Sequence, residues 1–298
     1  MTNHLIFRPV RLEDKSRVLE FTAHTWGDDD DDYIQYVFDD WLSDPRGEFT
    51  AVESNGQCVA IAKLTDLGSS EWWFEGLRVD PQARGQGIGV ALNRYQVDLA
   101  RNLGGTAIRY MTSSHNVGSL TIGTKAGFEH VLSYLMYTAP AVDRQFPSVR
   151  LTLDDLPALR EWLDSLLVRH AHGLYRAGWK VHSLTEAAMR ELLQSHEVYG
   201  LKDQSGRITA WCVLRLDDDE DELDRLRIDH IDGEMESIAR LAQSIRALAQ
   251  QRDKEKVRVG LLEYAPLLKA MADTGYLPEE DGFGMWVMEK KLDSAIVG

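Results

Sequence analysis

The order of apolar segments, turns and helices in residues 1–138 returns in residues 149–292. A chain that repeats in this way builds one supersecondary unit twice, and few folds accommodate that. Ile6-Phe7-Arg8-Pro9 leads into Leu12-Glu13-Asp14 and a helical stretch, as Val149-Arg150-Leu151 leads into Leu153-Asp154-Asp155-Leu156 and another. Phe49-Thr50-Ala51-Val52, a turn at Ser54-Asn55-Gly56 and Cys58-Val59-Ala60-Ile61-Ala62 read as a β-hairpin. Its counterpart is Val198-Tyr199-Gly200-Leu201, a turn at Gln204-Ser205-Gly206 and Ile208-Thr209-Ala210-Trp211-Cys212-Val213. Later, Ala107-Ile108-Arg109-Tyr110, a helix and Gly127-Phe128 match Val257-Arg258-Val259-Gly260, a helix and Gly275-Tyr276. The offsets cluster at about 141–150 residues. Segment 139–149 has two prolines and neither helical nor strand period, so it reads as the linker between domains at 1–140 and 141–298.

The first copy contains Val79-Asp80-Pro81-Gln82-Ala83-Arg84-Gly85-Gln86-Gly87-Ile88-Gly89, placed after a strand-like segment, Trp72 to Val79. A helix follows, with Ile88, Leu92, Tyr95, Leu99 and Leu103 predicted on its core face and Gly104-Gly105 as its stop. A glycine-rich turn at a helix N-terminus offers unpaired N–H groups and a positive helix end, which suits an anionic pyrophosphate. Glycine leaves room there for the phosphates to approach the backbone. A dinucleotide fold needs GxGxxG and an acid about 20 positions on, at the end of the next strand. The spacing here is GxGxG, and Ala107 to Thr112 has no acid; the Gly-Lys-Ser/Thr of a P-loop is also missing.

Arg84-Gly85-Gln86-Gly87-Ile88-Gly89 after Leu77-Arg78-Val79-Asp80-Pro81 resembles the acyl-CoA-binding motif of the GNAT family of N-acetyltransferases. Arg84, Gly87 and Gly89 fill that family's core pattern, and the distal Gly127-Phe128 stands in the right order behind it. The resemblance covers 1–138, and the repeat extends it to 149–292. It implies an α/β fold in tandem, each copy a mixed, mostly antiparallel sheet flanked by helices, with acetyl-CoA as co-substrate and no metal. It also implies that the N–H groups of Gln86, Gly87, Ile88, Gly89 and Val90 hold the pyrophosphate, with Arg84 and Gly85 in the same loop. The backbone at Leu77 and Val79 would pair with pantetheine like an added strand. Asn116, with Ser119 in the same loop, would meet the pantetheine arm, and Asn116 also suits a helix N-cap.

Acetyl transfer needs a neutral amine, hence a general base. Glu75, in the apolar strand Trp72-Trp73-Phe74-Glu75-Gly76-Leu77, is the first candidate, because burial raises a carboxyl pKa. Glu71, on the same side by strand parity, is the second. The structural alternative for Glu75 is an ion pair with Arg78 or Arg109. Many family members carry a Tyr seven residues beyond the loop Asn as general acid; this chain has Gly123 there. Ser119, Tyr134, Tyr137 or solvent then serves the thiolate, whose pKa of about 8.5 makes it a tolerable leaving group unaided.

The resemblance implies that the acceptor side falls on His24-Thr25-Trp26-Gly27, five Asp from Asp28 to Asp32, Tyr33 and Trp41. A run of carboxylates is ordinarily a solvated loop. Flanked by aromatics, Trp26, Asp32 and Tyr33 form a set suited to a cationic small molecule. The Trp-Gly…Asp-Tyr…Trp-Leu-x-x-Pro run looks like the histidine N-acetyltransferase branch of the family, which makes histidine or a related amino acid the named acceptor. In the second copy, Ile231-Asp232-Gly233-Glu234-Met235-Glu236-Ser237-Ile238 keeps one Gly and brings two Glu, whose charge repels pyrophosphate. That copy reads as degenerate, with three roles open: closing the acceptor pocket, supporting the first copy, or making a homodimer. The acidic run Asp217 to Glu222 reads as a hairpin tip.

Composition bounds the partners. The net charge is −15, and both halves carry an excess of acid, unlike a nucleic-acid module or an anionic-membrane binder. Cys58 and Cys212 each sit in an apolar strand-like run and read as buried, reduced thiols. Met1-Thr2-Asn3-His4 lacks a signal-peptide pattern and no apolar run nears ~20 residues, so a cytoplasmic protein is expected. Two other functions fit the same motifs: an acyl-CoA-binding sensor or scaffold without catalysis, and a protein N-acetyltransferase.

Overall fold

The computed structural model describes residues 4–23, 25, 32–144, 147–215, 224–279 and 284–292. In chain order the elements are β1 (Ile6–Pro9), α1 (Lys15–Thr22), α2 (Ile34–Ser43), β2 (Gly47–Ser54), β3 (Gln57–Gly68), β4 (Glu71–Val79), α3 (Ile88–Asn102), β5 (Ala107–Ser113), α4 (Val117–Ala126) and β6 (Glu129–Pro140). The second series is β7 (Val149–Arg150), α5 (Leu156–Leu159), α6 (Leu166–His170), β8 (Leu174–Ala177), β9 (Lys180–Ser183), α7 (Glu186–Ser195), β10 (Glu197–Lys202) and β11 (Ile208–Arg215). It closes with β12 (Arg225–Gly233), α8 (Met235–Gln251), β13 (Lys256–Leu262), α9 (Ala265–Ala272), β14 (Leu277–Pro278) and β15 (Gly284–Lys291). Two compact units result. One takes the described residues up to Thr112, then 116–131 and those from Val287 on; the other takes 113–115 and 132–286.

In the first unit β1, β2, β3 and β4 pair antiparallel in sequence order, and β5 pairs parallel with β4. The neighbour of β5 on its far side is β15. Both faces of this sheet are covered, which is why its strands read as nearly continuous apolar runs. Leu64, Trp72, Phe74, Ile108 and Tyr110 pack on one face with Ile88, Leu92 and Ala100 of α3. Phe49, Ala51 and Ile61 pack on the other with Val18 of α1 and Ile34 and Phe38 of α2. Each fully buried Val, Leu, Ile or Phe among them contributes about 1.5–3 kcal/mol. Leu103, expected on the core face, is 54% exposed, because α3 ends at Asn102 and the chain turns there.

The end of β15 belongs to this same core. Met288 and Leu292 are buried in it, Lys290 Nζ donates to the Ala126 carbonyl at the end of α4 (3.2 Å), and Glu289 accepts from Arg109 Nε (2.6 Å). Arg109 is 4% exposed and also donates to Glu71 (2.8 Å). Burial favours its neutral form, but the two carboxylates hold its pKa above the ordinary value.

The second unit repeats the plan. β10, β11 and β12 are antiparallel, β13 is parallel to β12, and residues 134–140 of β6 pair antiparallel with β13. Hairpin β8–β9 stands apart as a two-stranded sheet. Cys58 and Cys212 are both buried and free; burial pushes the Cys58 thiol up to about 12.

Candidate active site

The site is built on a strand that parts from its neighbour. β4 pairs with β5 only at Glu71–Ala107, Trp72–Ile108 and Trp73–Arg109, then stays with β3 while diverging from β5. Where the strands part, Ile61 faces Arg78 and Lys63 faces Glu75, so Ala62 of β3 opposes both Gly76 and Leu77. This is a β-bulge, which leaves one residue of the bulged strand unpaired and increases the local twist. Gly76 sits at φ +68°, and a Cβ there would lie 2.4 Å from the Trp41 ring. Only glycine meets both conditions. The bulge also changes the parity of the strand: Glu75 and Arg78, three residues apart, project from the same face.

β4 runs into a 3-10 turn at Pro81–Ala83, where Asp80 Oδ1 accepts from the Gln82 N–H (2.9 Å). The glycine loop follows, exposed from Arg84 to Gly87, with Gly85 and Gly87 both at φ +78°. Among the described residues, chain neighbours aside, no protein atom lies within 4 Å of a Cβ built on either, so the backbone conformation itself requires glycine there. Gly87 is the N-cap of α3 and brings no side-chain acceptor, so the first-turn N–H groups of Ile88, Gly89 and Val90 lack a capping side chain. At Gly89 a Cβ would sit 3.0 Å from the tip of the Ile122 side chain of α4, which would have to give by a few tenths of an ångström. Arg84 is exposed and spends its Nε on the Val79 carbonyl (3.2 Å).

Asn116 is the N-cap of α4, accepting from the Ser119 N–H (3.0 Å), which occupies its Oδ1 and neither of its amide hydrogens. At Gly123 a Cβ would lie 1.9 Å from the Tyr110 hydroxyl. The phenol of β5 thus fills the space beside α4, with its O–H donating to the Ser119 carbonyl (3.3 Å). Burial pushes Tyr110 up to about 12. Tyr134, weighed as an alternative donor, is a buried residue of the second unit with Arg176 5.8 Å from its ring.

Glu75 is half-buried and accepts from Thr65 Oγ1 (3.3 Å). Arg109 holds Glu71 and Glu289, and Arg78 donates to both oxygens of Asp32 (2.6 and 3.2 Å). Asp32, expected to meet a cationic acceptor, is 3% exposed and neutralised by that arginine of the chain itself. Its Oδ1 also accepts from the Ile34 N–H at the start of α2 (3.1 Å). Tyr33 lies beneath the Arg78 guanidinium (5.2 Å to the ring centroid) and edge-on to Trp41 (6.0 Å). Loss of hydration pushes the Tyr33 phenol up to about 12, against the pull of Arg78. Glu71, tied to Arg109 at the start of β4, lies about 13 Å along the strand from Glu75. Trp26, the aspartates 28–31 and the run Asp217 to Glu222 lie outside the described residues.

The second unit keeps the parting strands. β12 pairs with β13 only from Arg225–Lys256 to Ile228–Val259, and its register against β11 slips between Val213–His230 and Leu214–Ile228. Where the strands separate, the Arg176 guanidinium lies against Gly260, 2.7 Å from where a Cβ would be. At the head of α8 the exposed Glu234 is the N-cap and pairs with Arg207 (2.6 Å). A cavity of about 360 Å³ near that helix is lined by charges of both signs, among them Lys202, Glu236 and Arg240. Among the described residues no group of three or more His, Cys, Asp or Glu side chains could hold a metal ion, and no helix is long and apolar enough to cross a membrane.

The bulge and the Tyr110 contact are among the features that escaped the sequence reading. The bulge had a signal in Gly76, an isolated glycine inside a strand pattern. The filling of the Gly123 space by Tyr110 had none, because it depends on two elements meeting in space.

The family model described as Acetyltransferase (GNAT) family matches residues 15–128. Aminoglycoside N(6')-acetyltransferase type 1 of Klebsiella aerogenes is 28% identical over 151 residues, covering 47% of this chain and 99% of that protein. A GCN5-related N-acetyltransferase from Sphaerobacter thermophilus superposes with a TM-score of 0.65 at 15% identity, over 96% of this chain and 95% of that one. A tandem GNAT protein from the clavulanic acid biosynthesis pathway gives a TM-score of 0.60 at 14% identity, over 97% of this chain and 98% of that one. Residues 15–128 are thus similar to the acetyltransferase (GNAT) family, and along its length the chain has the fold of the tandem GNAT protein.

Proposed function

We propose that the first unit moves an acetyl group from acetyl-CoA to the primary amine of a small molecule by direct attack. The match of residues 15–128 to the acetyltransferase family model and the acetyltransferase relative support an acyltransferase. The observation that carries the finer reading is the junction of three features on β4: parting strands, a bulge, and an uncapped helix N-terminus under a glycine loop. The loop offers N–H groups of residues 86–90 and Arg84 to the pyrophosphate, and the open edge of β4 at Leu77 and Val79 offers strand-like pairing to pantetheine. Asn116 can cap its helix and still donate its amide hydrogens to the arm.

In this reading Glu75 takes the amine proton, directly or through one water, as the nitrogen attacks the thioester carbonyl. The new C–N bond replaces the C–S bond, and the leaving thiolate is protonated by solvent, since Gly123 supplies no phenol. Ser119 stays available as an alternative donor. The second unit is a degenerate copy: Glu234 and Glu236 stand where phosphate would bind, and Arg176 fills the space between its parting strands.

The acceptor is a small amine. Histidine or another amino acid is one class to test, and the aminoglycoside in the name of the Klebsiella aerogenes relative is another. The test is free-thiol release from acetyl-CoA against a panel of amino acids, polyamines and aminoglycosides, with Glu75→Gln alongside. Turnover lost in that variant while acetyl-CoA affinity survives supports the enzyme. Gly123 favours one rival, a non-catalytic acyl-CoA sensor, which would bind acetyl-CoA and release no thiol with any amine; turnover of peptides alone would point to a protein acetyltransferase.

A further inference from the structure

The glycine loop hangs from Asp80, and Asp80 is held from two sides. Its Oδ1 accepts from the Gln82 N–H (2.9 Å), its carbonyl accepts from the Ala83 N–H (2.8 Å), and its own N–H donates to the Val59 carbonyl (2.9 Å). These bonds set the direction in which the chain leaves β4 for Arg84–Gly87. The remaining oxygen, Oδ2, pairs with Arg17 Nη2 from α1. Asp80 is 4% exposed, so this charge has little water to fall back on. Arg17 uses its other terminal nitrogen on Glu20, one turn along its own helix (2.7 Å).

The second unit supplies an internal comparison. Glu234 stands past β12 as Asp80 stands past β4: its N–H donates to the Thr209 carbonyl (2.9 Å), as that of Asp80 donates to Val59. Glu234 pairs with Arg207 (2.6 Å), but both side chains are about half exposed, whereas the Asp80 carboxylate is buried.

We infer that Arg17 is a positioning residue for acyl-CoA binding: by pairing with Asp80 Oδ2 from α1, it fixes the turn that aims the Arg84–Gly89 loop. The assignment rests on the cofactor reading proposed above. Arg17 touches no part of the loop itself in these contacts and acts through Asp80.

The test is calorimetric titration of acetyl-CoA into the full chain, with unfolding temperature measured on every variant. Arg17→Gln is expected to weaken acetyl-CoA about tenfold, and Arg17→Lys to recover most of that, since a point charge can still reach Oδ2. Asp80→Asn keeps an oxygen for the Gln82 N–H but loses the ion pair, so it should match Arg17→Gln. The double variant should be no weaker than either single, as expected for partners in one interaction. Glu20→Gln, on the exposed side of Arg17, should bind like wild type. An unchanged affinity in Arg17→Gln with wild type binding normally overturns the assignment, and so do fully additive single effects or a fall in affinity that merely tracks unfolding temperature. Wild type that binds no acetyl-CoA would instead bring down the cofactor reading, and this assignment with it.

Discussion

Replacing Gly123 with alanine sets two physical effects against each other, and they predict opposite signs. Gly123 lies within α4, where alanine is favoured over glycine by about 1 kcal/mol. Packing opposes this, because the new Cβ would lie 1.9 Å from the Tyr110 hydroxyl and 2.8 Å from its Cζ. The phenol has nowhere easy to go: it is 5% exposed and meets the Phe74 and Phe128 rings at centroid distances of 5.9 and 5.1 Å. Overpacking of this kind costs about 1–3 kcal/mol, and displacing the hydroxyl from the Ser119 carbonyl adds about 1 kcal/mol. Offsetting the helix gain leaves a net loss of about 2 kcal/mol, or a fall in unfolding temperature of about 4–8 °C for a unit of this size. Thermal denaturation of Gly123→Ala, Tyr110→Leu and the double variant measures it. Truncating the ring removes the obstacle and leaves the helix gain, so the double variant should be more stable than Tyr110→Leu by up to about 1 kcal/mol, a coupling of about 3 kcal/mol. A rise in unfolding temperature for Gly123→Ala would refute the reasoning, since helix propensity alone predicts that result.

Other outcomes follow from the same geometry. Glu75→Gln should lower kcat by about 10²–10⁴ while leaving acetyl-CoA affinity intact; steady-state kinetics with any amine acceptor checks this, and a kcat near wild type removes Glu75 as base. Gly87→Ala forces alanine into φ +78°, a strain of about 1–2 kcal/mol, and should raise the KM for acetyl-CoA rather than lower kcat. Asp232 gives a pH dependence. Burial raises its pKa to about 7, with Ser165 opposing, so the folded state holds the proton more tightly than the unfolded chain. The stability it contributes is therefore present in full below the unfolded value near 4 and is lost as pH rises through about 7. Asp232→Asn should then gain on wild type by up to a few kcal/mol between pH 5 and pH 8 in urea unfolding, and an equal gap at both pH values contradicts it. Finally, a chain ending at residue 283 loses Met288, Glu289, Lys290 and Leu292 from the first unit. Amide exchange should show β5 losing its protection; retained protection would mean that the last strand is dispensable.

Much of the site was legible because its chemistry is local. A strand, an Asp-Pro turn, spaced glycines and a helix follow one another within about 30 residues, and each is set by backbone preferences visible in sequence. The positive φ angles of Gly85 and Gly87 and the capping by Asn116 are of this kind. What was not legible depends on distant residues meeting. Asp32 reads as one more carboxylate in an acidic run, and only the fold brings it to Arg78, 46 residues on. The same holds for Glu71, whose partner Glu289 across Arg109 is contributed from near the far end of the chain. Repeat spacing gives the order of elements within each copy but carries no information on which strand closes which sheet.

That last strand has a consequence for how the protein is made. The first unit includes residues 116–131 and then resumes only at Val287. At translation rates of about 5–20 residues per second, the intervening stretch takes on the order of 10–30 s to synthesise. Throughout that interval the nascent first unit has an unmatched β5 edge, and Arg109 is held by Glu71 without Glu289. The half of the chain that emerges first is therefore the half completed last, and an interrupted message yields no finished first unit. An open strand edge is a template for wrong pairing, so any ribosomal pause between codons 131 and 287 lengthens the interval over which that hazard stands.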